Sequence, residues 1–167
     1  NLKGASNSNP VTYTIAITPL TLASLTGGPT GYTFDGWYDN SSFSGNAITE
    51  IPANSTGDKT FYAKWTAETY NISYQNLKGA SNSNPTTYTV VDTITLAALP
   101  NVTGYTFDGW YDNATFSGSP VTGITANSTG DKTFYAKWTE ISYYNAKGNG
   151  GEWTKGSGSA LTFIFKR

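Results

Sequence analysis

The stretch Gly31-Tyr32-Thr33-Phe34-Asp35-Gly36-Trp37-Tyr38-Asp39-Asn40 occurs twice in this chain of 167 residues. The same ten residues return at 104–113, and 28 of 35 positions are identical between residues 31–65 and 104–138. Upstream, the ten residues that begin at Asn1 return at Asn76. Long self-similarity at a near-constant spacing is typical of tandem structural modules, and the sequence therefore predicts two copies of one unit.

The repeats divide the chain into four parts. We predict module 1 at 1–66, a linker at 67–69 that runs into the first strand of module 2, module 2 at 70–139, and a partial third start with a strand-like tail at 140–167.

The opening strand of module 2, at 70–75, has no counterpart ahead of Asn1, so module 1 lacks its first strand. Truncation would explain this. Alternatively, a similar segment of another chain fills the gap and builds a head-to-tail filament. The candidate donated residues, which repeat the Ile-Ser-Tyr pattern of the opening strand, are Ile141, Ser142, Tyr143 and Tyr144.

Alternation of apolar and polar residues predicts half-buried strands. Phe61, Ala63 and Trp65 share one face, and Lys64 lies on the other. The predicted fold class is mainly β, a β-rich α+β arrangement with at most one short helical turn per module, at 39–43 and 112–116. Predicted core residues of module 2 are Ile72, Tyr74, Tyr88, Val90, Ile94, Leu96, Tyr105, Phe107, Trp110, Phe116, Ile124, Phe134 and Trp138; those of module 1 are Tyr32, Phe34, Trp37, Phe43, Ile51, Phe61 and Trp65.

Composition excludes several chemistries. The chain has no Cys, His or Met, so His- or Cys-dependent catalysis, disulfides and conventional zinc sites are excluded. The formal net charge is −1, which argues against nucleic-acid binding. No apolar run is long enough to span a bilayer. We therefore expect no catalytic residues, cofactor or metal, and no enzyme activity.

The best candidate for a ligand-facing surface follows each repeated Trp. If Trp37 is buried, alternation places Tyr38 outside, where a phenol ring beside a carboxylate and an amide would stack on a sugar. The alternative is an ordinary surface tyrosine. The candidate residues are Tyr38, Asp39 and Asn40 in module 1 and Tyr111, Asp112 and Asn113 in module 2. The carboxylate pairs Asp35 with Asp39 and Asp108 with Asp112 are expected to have structural roles.

The segment from Gly31 to Asp39, followed by Thr60-Phe61-Tyr62-Ala63-Lys64-Trp65, resembles the Listeria–Bacteroides repeat, also called the internalin B-repeat, over residues 1–139. Lys78-Gly79-Ala80 departs from the usual Gly-Gly-rich opening turn. The resemblance implies a β-grasp-like fold and residence in large exported proteins of the bacterial surface. Residues 153–157 with 161–163 resemble the first strand of an immunoglobulin-like surface module.

The expected function is a non-catalytic spacer repeat at the bacterial cell surface or cell wall, with adhesion-associated roles implied by the resemblance. Expected partners are neighbouring repeats, a host or matrix glycan or protein, or the chain itself by strand exchange. The alternatives are a multivalent glycan- or protein-binding module and a strand-donating subunit of a filament.

Overall fold

The computed structural model describes residues 2–17, 19–145 and 154–156. It is mainly β, as predicted, and the chain forms two compact units, one mainly of residues 1–69 and the other mainly of residues 70–167. The only helix among the described residues is a 3-10 turn at Ile15–Ile17. In chain order the strands are β1 Leu20–Thr21, β2 Tyr32–Tyr38, β3 Glu50–Ile51, β4 Tyr62–Ala67, β5 Thr69–Gln75, β6 Thr87–Thr89, β7 Ile94–Thr95, β8 Tyr105–Tyr111, β9 Gly123–Ile124, β10 Lys132–Glu140, β11 Tyr143–Asn145 and β12 Thr154–Gly156.

Module 2 is built on a four-stranded sheet in the order β6-β5-β10-β8. Its first strand, β5, lies parallel to its last strand, β10, and β10 is antiparallel to β8. A short antiparallel ladder of β7 and β9 stands apart from this sheet. The β-grasp-like character that the family resemblance implies stays a prediction.

Module 1 has a smaller sheet. β2 and β4 form an antiparallel pair with the same bulged register as β8 and β10, and β1 pairs with β3 as β7 pairs with β9. Described residues supply no counterpart of β5 or β6 to this sheet. Among the described residues, the sheet built on β2 and β4 therefore has two strands, whereas that of module 2 has four.

Aromatic side chains pack against one another in both cores, as the alternation predicted. In module 2 the edge-to-face ring contacts of Phe107 with Trp110 and Trp138 have centroid distances of 5.4 and 5.3 Å. Phe34 contacts Trp37 and Trp65 in the same way in module 1, at 5.4 Å each. The buried core of module 2 comprises Ile72, Tyr88, Leu96, Leu99, Trp110, Ile124, Phe134 and Ala136, and that of module 1 comprises Ala5, Leu25, Trp37 and Ala63.

Two sequence predictions near Phe43 are wrong. Residues 39–43 and 112–116 form turns, because Phe43 and Phe116 take left-handed φ angles of 55° and 54° that an α-helical turn does not allow. Phe43 is also not a core residue: 37% of it is exposed. Its ring packs on Tyr38, on the opposite side of the strand from the core.

Three hydrogen bonds, here called the polar clamp, connect a segment near the start of each module to its bulged strand. Asn84 accepts a hydrogen bond from the Ala97 N–H at 2.6 Å and donates to the Ala97 carbonyl at 3.0 Å, and the Trp110 indole N–H donates to that carbonyl at 2.8 Å. Asn9, Ala23 and Trp37 repeat these bonds at the same three distances. Asn84 is buried, whereas Asn9 is only half-buried.

Replacing Asn84 by Ala should lower the stability of module 2 by about 1–3 kcal/mol, because it removes the buried amide that bonds to both the N–H and the carbonyl of Ala97. The matched Asn9→Ala change should cost less, since water reaches that clamp. Urea unfolding of the intact chain, followed by tryptophan fluorescence, measures both changes. Equal losses from the two substitutions would contradict the dependence on burial.

Burial and the Asp131 carboxylate raise the pKa of the Tyr88 phenol above its ordinary value of 10.0. The folded chain therefore holds this proton more tightly than the unfolded chain does, and the stability of module 2 should fall as the pH rises above about 10. A Tyr88→Phe variant should lose part of that alkaline dependence, measured by urea titrations between pH 8 and 11. An unchanged pH profile in Tyr88→Phe would argue against this origin.

Candidate functional site

The predicted ligand-facing tyrosines are not exposed. Tyr38 and Tyr111 retain only 8% and 6% of their accessible surface, and the neighbouring Trp37 and Trp110 are buried as well. The prediction that these tyrosines face solvent is therefore wrong. Alternation does direct each Tyr to the face opposite the Trp, but that face is covered too.

Each tyrosine is covered by the loop that follows it in sequence. The Phe43 ring meets the Tyr38 ring edge-on with centroids 5.7 Å apart, and the Lys64 ammonium lies 5.2 Å from the same centroid. In module 2, Phe116 lies 5.7 Å from Tyr111 and Lys137 lies 5.0 Å from it. A sugar could not stack on rings whose faces and edges are already occupied in this way.

The predicted ligand-facing asparagines, Asn40 and Asn113, instead bond within their own loops. Asn40 Oδ1 accepts hydrogen bonds from the Ser42 hydroxyl at 2.8 Å and the Ser44 N–H at 3.0 Å, and Nδ2 donates to the Ser44 carbonyl at 2.9 Å. Asn113 makes the same bonds with Thr115 and Ser117. These contacts stabilise the left-handed Phe residue at the loop tip.

The carboxylates have local partners. Asp39 and Asp112 each accept a hydrogen bond from the next asparagine at 2.9 Å. Asp35 accepts one from the Thr66 hydroxyl and lies 3.9 Å from the Lys64 ammonium, and Asp108 accepts one from Thr139 at 2.6 Å. In the part of the chain that the structure describes, no three acidic side chains come together as a metal site.

The candidate donated residues are engaged within the chain. The Ile141 N–H donates to the Gly104 carbonyl at 2.8 Å, and Tyr143–Asn145 pairs antiparallel with Thr154–Gly156. Donation of Ile141, Ser142, Tyr143 and Tyr144 to another chain would require these bonds to break. Of the segment that resembles an immunoglobulin-like strand, Trp153, Ser157 and residues 161–163 lie outside the described residues.

Module 1 contains a groove of about 720 Å³ beside residues 57–61. Trp37 and Phe61 form part of its floor, and Tyr13, Pro10 and Asp58 stand around it. β4 pairs with β2 on one edge, and among the described residues no strand covers the other edge. Comparison of the two modules in sequence predicted an uncovered strand edge in module 1. It did not predict the shape of the groove, which depends on residues distant in sequence.

Both repeats match one known protein family. The Listeria-Bacteroides repeat domain matches residues 1–64 and 70–137. This chain belongs to that family. The two matched segments contain both copies of the clamp, the buried Trp-Tyr pair and the loop ordered by asparagine, so these contacts belong to the family's repeat unit as this chain folds it.

Three relatives share part of the sequence. A Gly-rich membrane protein of Evansella cellulosilytica is 32% identical over 68% of this chain, and internalin H of Listeria monocytogenes is 32% identical over 66%. A membrane protein of Evansella cellulosilytica is 28% identical over 81%. The matches span only 13%, 20% and 20% of those relatives.

No solved structure matches this chain. Among the described residues, no helix has both the length and the apolar character that crossing a membrane would require.

The buried position of Tyr111 predicts that its substitution affects folding. Tyr111→Ala should destabilise the protein by about 3 kcal/mol, since it removes a large side chain packed on both sides. Tyr111→Phe should be nearly neutral, because no hydrogen bond to this hydroxyl is present among the described residues. Thermal unfolding monitored by circular dichroism distinguishes the two; a Tyr111→Ala variant as stable as the native chain would restore the exposed-ligand interpretation.

Proposed function

We propose that this chain is a non-catalytic spacer repeat of an exported bacterial surface protein, located outside the cell at the surface or in the wall. It serves to project more specialised parts of that protein. Any contribution to adhesion is indirect, through the reach that the folded modules provide.

One observation carries the proposal: the repeated polar and aromatic residues that a binding site would use are occupied with one another in both copies. Tyr38 is covered, and Asn40 has its amide committed to its own loop. Repetition of such internal contacts favours folding of each copy and adds no exposed recognition surface.

The sequence matches support the proposed location. Two of the three relatives are named as membrane proteins, and the shared region is a small part of each. A small domain present in tandem within much longer proteins suits a spacer. A chain without cysteine also suits export, because it cannot form wrong disulfides in an oxidising exterior.

A display experiment tests the spacer role. The intact chain is placed between a cell-wall anchor and an amino-terminal fluorescent tag, and the height of the tag above a membrane dye is measured by energy transfer. A second tandem copy of the chain should raise the tag nearly in proportion to the number of modules, whereas doubling a Gly/Ser linker, which behaves as a random coil, should raise it only about 1.4-fold.

Equal relative increases in height on doubling the chain and on doubling the Gly/Ser linker would refute the spacer role. The binding alternative has its own readout, a glycan array probed with the intact chain and with Asn46→Ser as an exposed-loop control. Saturable binding of the intact chain to one glycan class would replace the proposal with a binding function.

A further inference from the structure

The first and last strands of module 2 are direct neighbours and run in the same direction. Residues 72–75 of β5 pair in parallel with residues 132–135 of β10. The chain enters this sheet at Thr69, where β5 begins, and leaves it at Glu140, where β10 ends. Because the two strands are parallel, the points of entry and exit lie at opposite ends of the pair.

This arrangement decides how tension along the chain acts on module 2. A pull that separates Thr69 from Glu140 draws β5 and β10 past each other along their own length. The hydrogen bonds of a parallel ladder are evenly spaced, so this sliding, or shear, loads them together. Two strands that are pulled apart from the same end instead separate one bond at a time. Tension along the chain therefore meets the stronger of the two directions of the pair.

Side-chain hydrogen bonds extend the β5–β10 ladder at both ends. Just before β10, the Asp131 carboxylate accepts from the Asn71 N–H at 2.7 Å. Just after β5, the Asn76 amide donates to the Ala136 carbonyl at 2.8 Å, and the Trp138 indole N–H donates to the Asn76 carbonyl at 2.8 Å. Each of these bonds joins the first segment of the module to the last, so sliding must break them as well.

The middle of the pair is shielded from water. Ile72 and Phe134 are only 4% and 3% exposed, and the Tyr74 ring packs on Phe134 and Trp110 with centroid distances of 6.1 and 5.1 Å. On its other side, β5 is held by the Ile72 N–H, which donates to the Thr86 carbonyl at 2.7 Å. Water cannot readily replace a buried hydrogen bond as it breaks, so shielding raises the cost of opening the pair.

We propose that module 2 is a load-bearing module, in which tension along the surface protein is carried by shear of the β5–β10 pair. The module stays folded under forces that would open it if they were applied across β8 and β10. The inference rests on the proposed function for the source of the tension, since a spacer held at both ends is pulled along its length. The resistance itself comes from the strands of module 2.

The test is to pull the same fold in two directions. The chain has no cysteine, so two introduced cysteines define where DNA handles attach to the otherwise intact chain. Thr69→Cys with Glu140→Cys gives the shear direction. Thr103→Cys with Glu140→Cys gives a peeling direction, because β8 begins at Tyr105, which lies opposite Glu140. The three replaced residues are exposed.

Optical tweezers measure the unfolding force of both variants at one pulling speed. Forced unfolding follows the unfolding rate, and shear requires several bonds to break together, so the shear direction should need at least about twice the force of the peeling direction. Equal forces, or a higher force in the peeling direction, would overturn the proposal.

A substitution in the extended ladder tests its part in carrying load. Asn76→Gly removes the amide bond to Ala136 and tolerates the left-handed φ of 61° at this position. It should lower the force in the shear direction and leave the peeling force unchanged. The matched control is Asn101→Gly, because Asn101 bonds to the Phe107 N–H on β8, away from β5; it should leave the shear force unchanged. Equal relative losses from Asn76→Gly in both directions would mean that this bond supports folding alone, against the proposal.

The load-bearing role and the spacer role can fail separately. Equal forces in the two directions, together with a tag height that grows with the number of modules, would leave a spacer without a load-bearing pair. A twofold difference in force without that growth in height would leave the load-bearing pair and remove the spacer role.

Discussion

The parallel pairing of β5 with β10 is the interaction on which the structure of a complete module depends. It joins the first and last strands of the module in the middle of one sheet, and it brings Ile72 and Tyr74 onto the aromatic core. Where this pairing is absent, in module 1, the sheet has two strands, the closing strand is shorter, and a groove opens beside it. The remaining contacts of the module, the clamp and the loop, form in both cases.

Those remaining contacts explain why the repeated tyrosines Tyr38 and Tyr111 are buried. Each module uses its amides and hydroxyls to satisfy backbone groups in turns, and it uses its Trp-Tyr pair to pack both faces of one strand. A small domain without disulfides has few other ways to gain stability. The polar residues that suggested ligand recognition thus contribute to folding, which is consistent with a role that depends on shape and durability.

Sequence reasoning succeeded where a pattern is local and repeated. The alternation around Ala63 and its counterpart Ala136 placed the core face correctly. It failed at Tyr38, because alternation gives the direction of a side chain but not what covers it. Phe43 was assigned to the core for the same reason: its left-handed backbone, which turns the ring onto Tyr38, depends on hydrogen bonds from Asn40 that residue type alone does not reveal.

By itself, the sequence determined that this chain contains two copies of one β-rich, aromatic-cored module. Only the tertiary structure decided the conformation of Lys-Thr-Phe at 59–61 and 132–134, which is identical in sequence but a strand in the second copy alone. The physical reason is that a strand edge is stabilised by its neighbour. Side-chain order along the chain is the same in both modules, whereas the backbone partner is present in only one.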